Sequence, residues 1–178
     1  MSRFYNHGVV VRCYIHDMNL RTLAVMAACL ILTTSTSAQT TNKGTTRMTL
    51  ATGPFEVKIN PQSEDKGEGS TMGRLSLDKQ YHGDLEASAK GEMLYASSVG
   101  VQGSGTYVAV ERVTGELHGH TGSFALAHKG TMAGGKQQMD ITIVPDSGSR
   151  ELTGIAGTMK IIITADGKHS YEIEYTMP

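Results

Sequence analysis

The sequence predicts an all-β protein, folded as a single small, closed antiparallel β-barrel of about eight strands. From Phe55 onward, short runs of alternating apolar and polar residues are separated by turn segments rich in glycine. Glycine is abundant, at 21 residues, and no segment carries a convincing 3.6-residue period of apolar positions. A series of short antiparallel strands closes most simply as a meander barrel, because closure removes exposed strand edges.

The predicted strands follow one another along the chain, each ended by a turn signal. They cover residues 55–59, 72–81, 85–90 continued by 92–99, 107–113, 123–128, 139–144, 152–164 and 169–177. Asn60-Pro61 is expected to end the first strand, and a turn is expected over 115–122. Gly134-Gly135 predicts a hairpin turn, and Pro145 predicts a type I turn that starts at Val144.

The N-terminus has the order of segments typical of a secretory signal. Residues 18–21 are a short basic region, 22–32 are apolar, and 33–38 are small and polar, so we expect cleavage after about Ala38. The apolar run has eleven residues, fewer than the roughly 20 that a membrane span needs. An uncleaved anchor and lipidation at Cys29 are the alternatives.

The predicted organisation follows from that cleavage. Residues 1–17 are interpreted as a spurious extension, 18–38 as the signal peptide, 39–51 as a flexible leader and 52–178 as the barrel domain. Both cysteines, Cys13 and Cys29, precede the cut, so the mature chain would form no disulfide. We expect a periplasmic or extracellular protein, monomeric or homodimeric, with no stable membrane span after cleavage. The near-balance of 16 Lys and Arg against 17 Asp and Glu argues against a nucleic-acid partner.

Ordered motifs along most of the barrel domain resemble one known family. They are Asp78-Lys79-Gln80-Tyr81-His82-Gly83-Asp84-Leu85, Gly91-Glu92-Met93-Leu94, the segment 107–113, and the shorter motifs at 122–124, 126–128, 144–148, 152–154 and 166–171. Together they resemble the bacterial family catalogued as domain of unknown function 3224. The resemblance implies a calycin-like barrel similar to allene oxide cyclase, and it implies no activity. The chain departs from the family in having Gly119-His120 where Gly-Arg is usual.

Strand alternation selects the polar side chains that face the barrel lumen. His128 shares a face with Phe124 and Leu126, and Tyr171 shares one with Tyr175, so these residues are expected to point inward. The predicted ligand-binding residues are Tyr107, Glu111, Arg112, Phe124, His128, Tyr171 and Tyr175.

Glu111 and Arg112 are adjacent, so only one of them faces the lumen, and the pattern does not choose between them. An inward Glu111 would be a general base with a raised pKa, whereas an inward Arg112 would bind a carboxylate. Glu111 and His128 are the catalytic candidates. The alternative is purely structural, with a satisfied core histidine, packing tyrosines and a buried ion pair.

Metal binding is not predicted. His118-Gly119-His120 has a metal-like spacing, but the surrounding glycines favour a turn that leaves the rings in solvent. No cofactor is predicted either. Three hypotheses for function remain: a barrel that binds a small, mostly apolar molecule in its lumen, a cyclase- or isomerase-type enzyme that uses the lumen as its active site, and a structural barrel with a filled core.

Overall fold

The structure, a computed structural model, describes residues 47–178, which form strands and turns without a helix. The predicted signal peptide, the residues before it and the leader up to residue 46 lie outside the described residues. The strands are β1 (Thr49–Lys66), β2 (Ser70–Tyr81), β3 (Leu85–Ser98), β4 (Gly105–Leu117), β5 (His120–Ala133), β6 (Lys136–Ile143), β7 (Ser149–Arg150), β8 (Ala156–Ile163) and β9 (His169–Thr176).

Eight of these strands form a closed antiparallel barrel, which confirms the predicted fold. Neighbouring strands follow the order β4-β3-β2-β1-β9-β8-β6-β5, and β5 pairs again with β4 to close the ring. The two-residue β7 pairs with the start of β5, outside this ring. Closure leaves every wall strand with two hydrogen-bonded neighbours.

The first strand is longer than the sequence predicts at both ends. It begins at Thr49, opposite Tyr175 of β9, and Ala51 is fully buried, so the last residues of the predicted leader belong to the barrel wall. It also continues through Asn60-Pro61 to Lys66. The register with β2 shifts between Pro61 and Ser63. Such a bulge accommodates proline, which has no N–H to donate to the ladder.

Three turns also differ from the sequence expectation. The predicted turn over 115–122 is a two-residue connection at His118-Gly119, with both φ angles positive, at 48° and 85°. Asp146 has a φ of 58°, so the turn that starts at Val144 has type II rather than type I character. Residues 152–155 form turns instead of strand, and they bury Leu152 and Ile155.

The barrel interior has two halves that differ in packing. In the half that we call the closed half, large apolar and aromatic side chains from every wall strand fill the lumen. Leu152 and Ile155 join this core through the turns that precede β8. Toward the other end, the open half, the inward positions of β1 become progressively exposed, from Phe55 at 4% to Ile59 at 51%. The lumen is therefore filled at one end only.

Candidate functional site

Four polar side chains meet inside the barrel, between the closed half and the open half. Glu111 of β4 is at the centre of this buried cluster. The Lys79 ammonium lies 3.0 Å from both of its carboxylate oxygens, and the Tyr81 hydroxyl donates to Oε1 at 2.9 Å. Nε2 of His128, on β5, lies 3.2 Å from the same oxygen. The cluster therefore joins β2, β4 and β5 by hydrogen bonds across the lumen.

The side chains of the buried cluster are almost completely removed from solvent. Lys79, Glu111 and His128 are 5%, 2% and 6% exposed. Burial raises the pKa of Glu111, but the His128 hydrogen bond and the Lys79 charge outweigh it and lower that pKa to about 2. Glu111 is thus an ionised acceptor at neutral pH, and its pKa is lowered, not raised as was expected from the sequence for an inward Glu111.

The neighbouring aromatic residues complete the surroundings of Lys79. Its Nζ lies 5.3 Å from the centre of the Phe55 ring and 5.7 Å from that of Tyr81, distances at which a ring face attracts a cation. Burial, followed by the Glu111 charge, raises the pKa of Tyr81 well above 10, so its hydroxyl remains a donor. These contacts hold the ammonium in an otherwise apolar interior.

A glycine in the neighbouring strand makes room for Glu111. Gly91 of β3 is directly opposite Glu111 in the ladder, on the inward face. A Cβ at this position would lie 2.6 Å from Glu111 Cβ and 2.5 Å from the Val110 carbonyl oxygen. The glycine that interrupts the predicted third strand is therefore part of that strand, and its missing side chain lets the carboxylate occupy the lumen.

Beyond the buried cluster, the open half contains a cavity of about 220 Å³. Its walls are mostly apolar, and the polar groups come from five residues: Lys79, Tyr107, His128, Gln137 and His169. The main apolar lining residues are Phe55, Val57, Leu77, Met93, Met139 and Ile161. The Tyr107 ring packs against Gly130 of β5. A Cβ at Gly130 would lie 2.5 Å from the ring carbon Cζ, so the glycine makes room for the ring.

Two neighbouring wall strands, β6 and β8, separate beside this cavity. β6 and β8 share a single ladder pair, Thr142 with Thr158. If their register continued, Met139 would be opposite Ile161 and Gln137 opposite Ile163, yet no ladder pairs form there. These four side chains line both the cavity and a cleft between the two strands. The cavity is therefore accessible from the side as well as from the barrel end.

The structure divides the predicted site residues into three groups. Glu111 and His128 belong to the buried cluster, and Tyr107 lines the cavity next to it. Phe124, Tyr171 and Tyr175 also point inward, but they are packed in the closed half, away from the cavity. Arg112 is exposed on the outer face of β4, because successive side chains of a strand point to opposite sides. It therefore does not line the lumen, and Glu111 is the inward member of that pair.

The two inward tyrosines of β9 have structural partners. The Tyr171 hydroxyl accepts a hydrogen bond from the Leu85 amide at 2.8 Å and donates one to the His82 carbonyl at 3.0 Å. The Tyr175 hydroxyl lies 2.8 Å from Nδ1 of His118. Within residues 47–178, no three His, Cys, Asp or Glu side chains are grouped as a metal site requires.

The sequence prediction missed Lys79 and Tyr81. The alternation that places Leu77 inward also places Lys79 and Tyr81 inward, and both residues belong to the motif 78–85. The signal was a lysine on the same strand face as apolar residues. Because an unpaired ammonium is rarely buried, such a lysine indicates a partner of opposite charge inside the barrel. Its partner could not be named, since Glu111 is 32 residues further along the chain.

The fold and the buried cluster define an antiparallel eight-stranded barrel with one filled and one open half. Residues 51–175 match the model of a family described as protein of unknown function (DUF3224), and the chain belongs to that family. It is 45% identical to a protein of unknown function from the same family, from Shewanella oneidensis MR-1, whose crystal structure superposes with a TM-score of 0.70. That alignment covers 74% of this chain and 99% of the other. No curated protein matches. Within the described residues, no helix is long and apolar enough to cross a membrane.

Proposed function

We propose that this protein binds a small, mostly apolar molecule in the cavity of its open half. The observation that carries the proposal is the cavity of about 220 Å³ whose apolar walls end at the buried cluster. A protein that needed only stability would gain by filling this space with side chains, because cavities are costly. The open half is left unfilled while the closed half is tightly packed.

The size of the cavity limits the ligand. Since a cavity of about 150 Å³ holds a benzene molecule, this one has room for roughly nine non-hydrogen atoms. A longer molecule would extend through the cleft between β6 and β8. Single-ring aromatic molecules and short branched aliphatic ones therefore fit the enclosed part.

The other two hypotheses have less support. The low pKa of Glu111, about 2, makes it a poor proton acceptor at neutral pH, which weakens a cyclase or isomerase mechanism that uses this carboxylate as the base. A filled structural core describes the closed half only. Binding accounts for both halves.

Methionine methyl groups provide a direct test of binding. Met93 and Met139 line the cavity, whereas Met72 is exposed on β2, so NMR of methyl-labelled methionine should show the first two signals shifting when p-xylene is added, and Met72 unchanged. Native mass spectrometry of the protein as purified would show any ligand already bound. Unshifted Met93 and Met139 signals at saturating p-xylene would contradict the proposal.

A pair of variants controls this test. Val57→Phe fills the cavity and should abolish the methyl shifts, whereas Val110→Phe places the same ring on the outer face of the barrel, where Val110 is 57% exposed, and should leave them intact. Equal shifts in both variants would place the bound p-xylene elsewhere.

We also propose that the protein is exported and acts as a monomer or homodimer outside the cytoplasm. The basic, apolar and small polar segments that follow one another in residues 18–38 support export. N-terminal sequencing of the protein recovered from the host should find a chain that starts near Gln39, and a chain that retains Met18 would refute cleavage. Light scattering of the same sample gives the oligomeric state.

A further inference from the structure

The two ring nitrogens of His128 have different surroundings. Nε2 lies 3.2 Å from Oε1 of Glu111. That carboxylate is ionised at neutral pH, since its pKa is about 2, so it only accepts hydrogen bonds. Nε2 must therefore carry the hydrogen of this contact. In a neutral imidazole the other nitrogen, Nδ1, is then an acceptor with a free lone pair.

Lys79 and Glu111 balance each other's charge in the buried cluster. The ammonium of Lys79 lies 3.0 Å from both oxygens of Glu111 and compensates its charge. The ion pair thus has no net charge, so the buried cluster needs no second cation beside Lys79. His128 therefore meets the ionised Glu111 as a hydrogen-bond donor through Nε2.

The His128 side chain lines the cavity, and its Nδ1 atom is directed away from the Glu111 contact at Nε2. Among residues 47–178, no group forms a hydrogen bond with it. Among the fully enclosed side-chain polar atoms in this part of the chain, only Glu111 Oε2 lacks a hydrogen bond, and that oxygen has the ion pair with Lys79. Nδ1 of His128 is not among them, so it is not fully enclosed. The space beside the His128 ring is the cavity. An unpaired acceptor therefore faces an otherwise mostly apolar space.

We propose that the cavity selects small apolar molecules that carry a hydroxyl group, typified by phenols, and that this hydroxyl donates its hydrogen to Nδ1 of His128. This inference rests on the proposed function. A hydrocarbon of the same shape leaves Nδ1 without a partner, and an ether or ketone offers only another acceptor. A phenol with one ring fits in the room available for roughly nine non-hydrogen atoms. Its hydroxyl group can donate a hydrogen bond to Nδ1 of His128.

The preference can be measured with two isosteric probes. 4-Methylphenol and p-xylene differ by a hydroxyl in place of a methyl group. The ratio of their affinities is compared between the wild type and each variant, because the difference in hydration of the two probes is the same for every protein and cancels. We expect this ratio to fall about tenfold in His128→Leu, since a lost hydrogen bond to a buried acceptor is worth about that much. His120→Leu is the matched control, because His120 is exposed at the start of β5 and does not line the cavity, and it should keep the wild-type ratio.

A second measurement needs no variant. Long-range ¹H–¹⁵N NMR distinguishes the two imidazole tautomers, and His128 should carry its hydrogen on Nε2 in the unliganded protein. A hydrogen on Nδ1, or an affinity ratio that is unchanged in His128→Leu, overturns the proposal. If p-xylene and 4-methylphenol both fail to bind, the proposed function is wrong, whereas p-xylene binding with no effect of His128 refutes only the hydroxyl preference.

Discussion

Replacing Glu111 by glutamine tests the buried cluster, because it removes the negative charge and keeps the shape. The Lys79 ammonium, 5% exposed, would then lack its counter-charge. Breaking a buried ion pair by removing one partner costs about 3–5 kcal/mol. The pKa of Glu111 leads to a similar magnitude, since its fall from 4.5 to about 2 corresponds to about 3 kcal/mol. That is a large part of the 5–15 kcal/mol typical of a folded domain.

The assay is equilibrium urea unfolding followed by far-UV circular dichroism and tyrosine fluorescence, since the chain has no tryptophan. We expect Glu111→Gln to lower the free energy of unfolding by about 3–5 kcal/mol and the Tm by roughly 10–20 °C. Glu92→Gln is the matched control, because Glu92 is on the outer face of β3 with a side chain that is 58% exposed, and it should change stability by less than about 1 kcal/mol.

A double variant separates charge from shape. Lys79→Met combined with Glu111→Gln removes both charges, so it should recover much of the loss seen in Glu111→Gln alone. A Glu111→Gln protein within about 1 kcal/mol of the wild type would refute the view that Lys79 depends on this carboxylate. A double variant no more stable than the single one would show that packing, and not an unpaired charge, causes the loss.

Three other predictions concern the same interior. The pKa of Glu111 is lower in the folded than in the unfolded protein, so its stabilisation is complete above about pH 4.5 and is lost as the pH falls toward 2; acid unfolding curves should show this slope in the wild type and a shallower one in Glu111→Gln. Gly91→Ala should cost about 1–3 kcal/mol, because its Cβ would overlap Glu111, whereas Gly69→Ala, with open space around its Cβ, should be close to neutral in the same urea assay. Tyr171→Phe should cost about 1–3 kcal/mol by leaving the Leu85 amide unpaired. Tyr95→Phe loses only a contact with the exposed Glu64 and should have little effect on stability. Equal losses in the two tyrosine variants would contradict the structural role given to the Tyr171 hydroxyl.

The strand pattern was predictable because it depends on local geometry. Side chains of a strand alternate between faces, so the inward positions of His128, Tyr171 and Tyr175 followed from their apolar neighbours. Strand ends were less predictable. Pro61 continues β1 through a bulge, and the segment 152–155 turns to bury Leu152 and Ile155, because pairing and packing with distant residues outweigh the local signals.

The sequence by itself determined the class of the protein: an all-β barrel of the DUF3224 family, with several inward polar residues. Only the tertiary structure decided that Glu111 faces the lumen while Arg112 faces solvent, because both faces of that segment have similar residues. It also decided that Lys79 of β2 and His128 of β5 meet this carboxylate, and that the aromatic residues of β9 fill the closed half only. Strand register brings these residues together across the barrel, and register depends on the whole set of pairings around the ring.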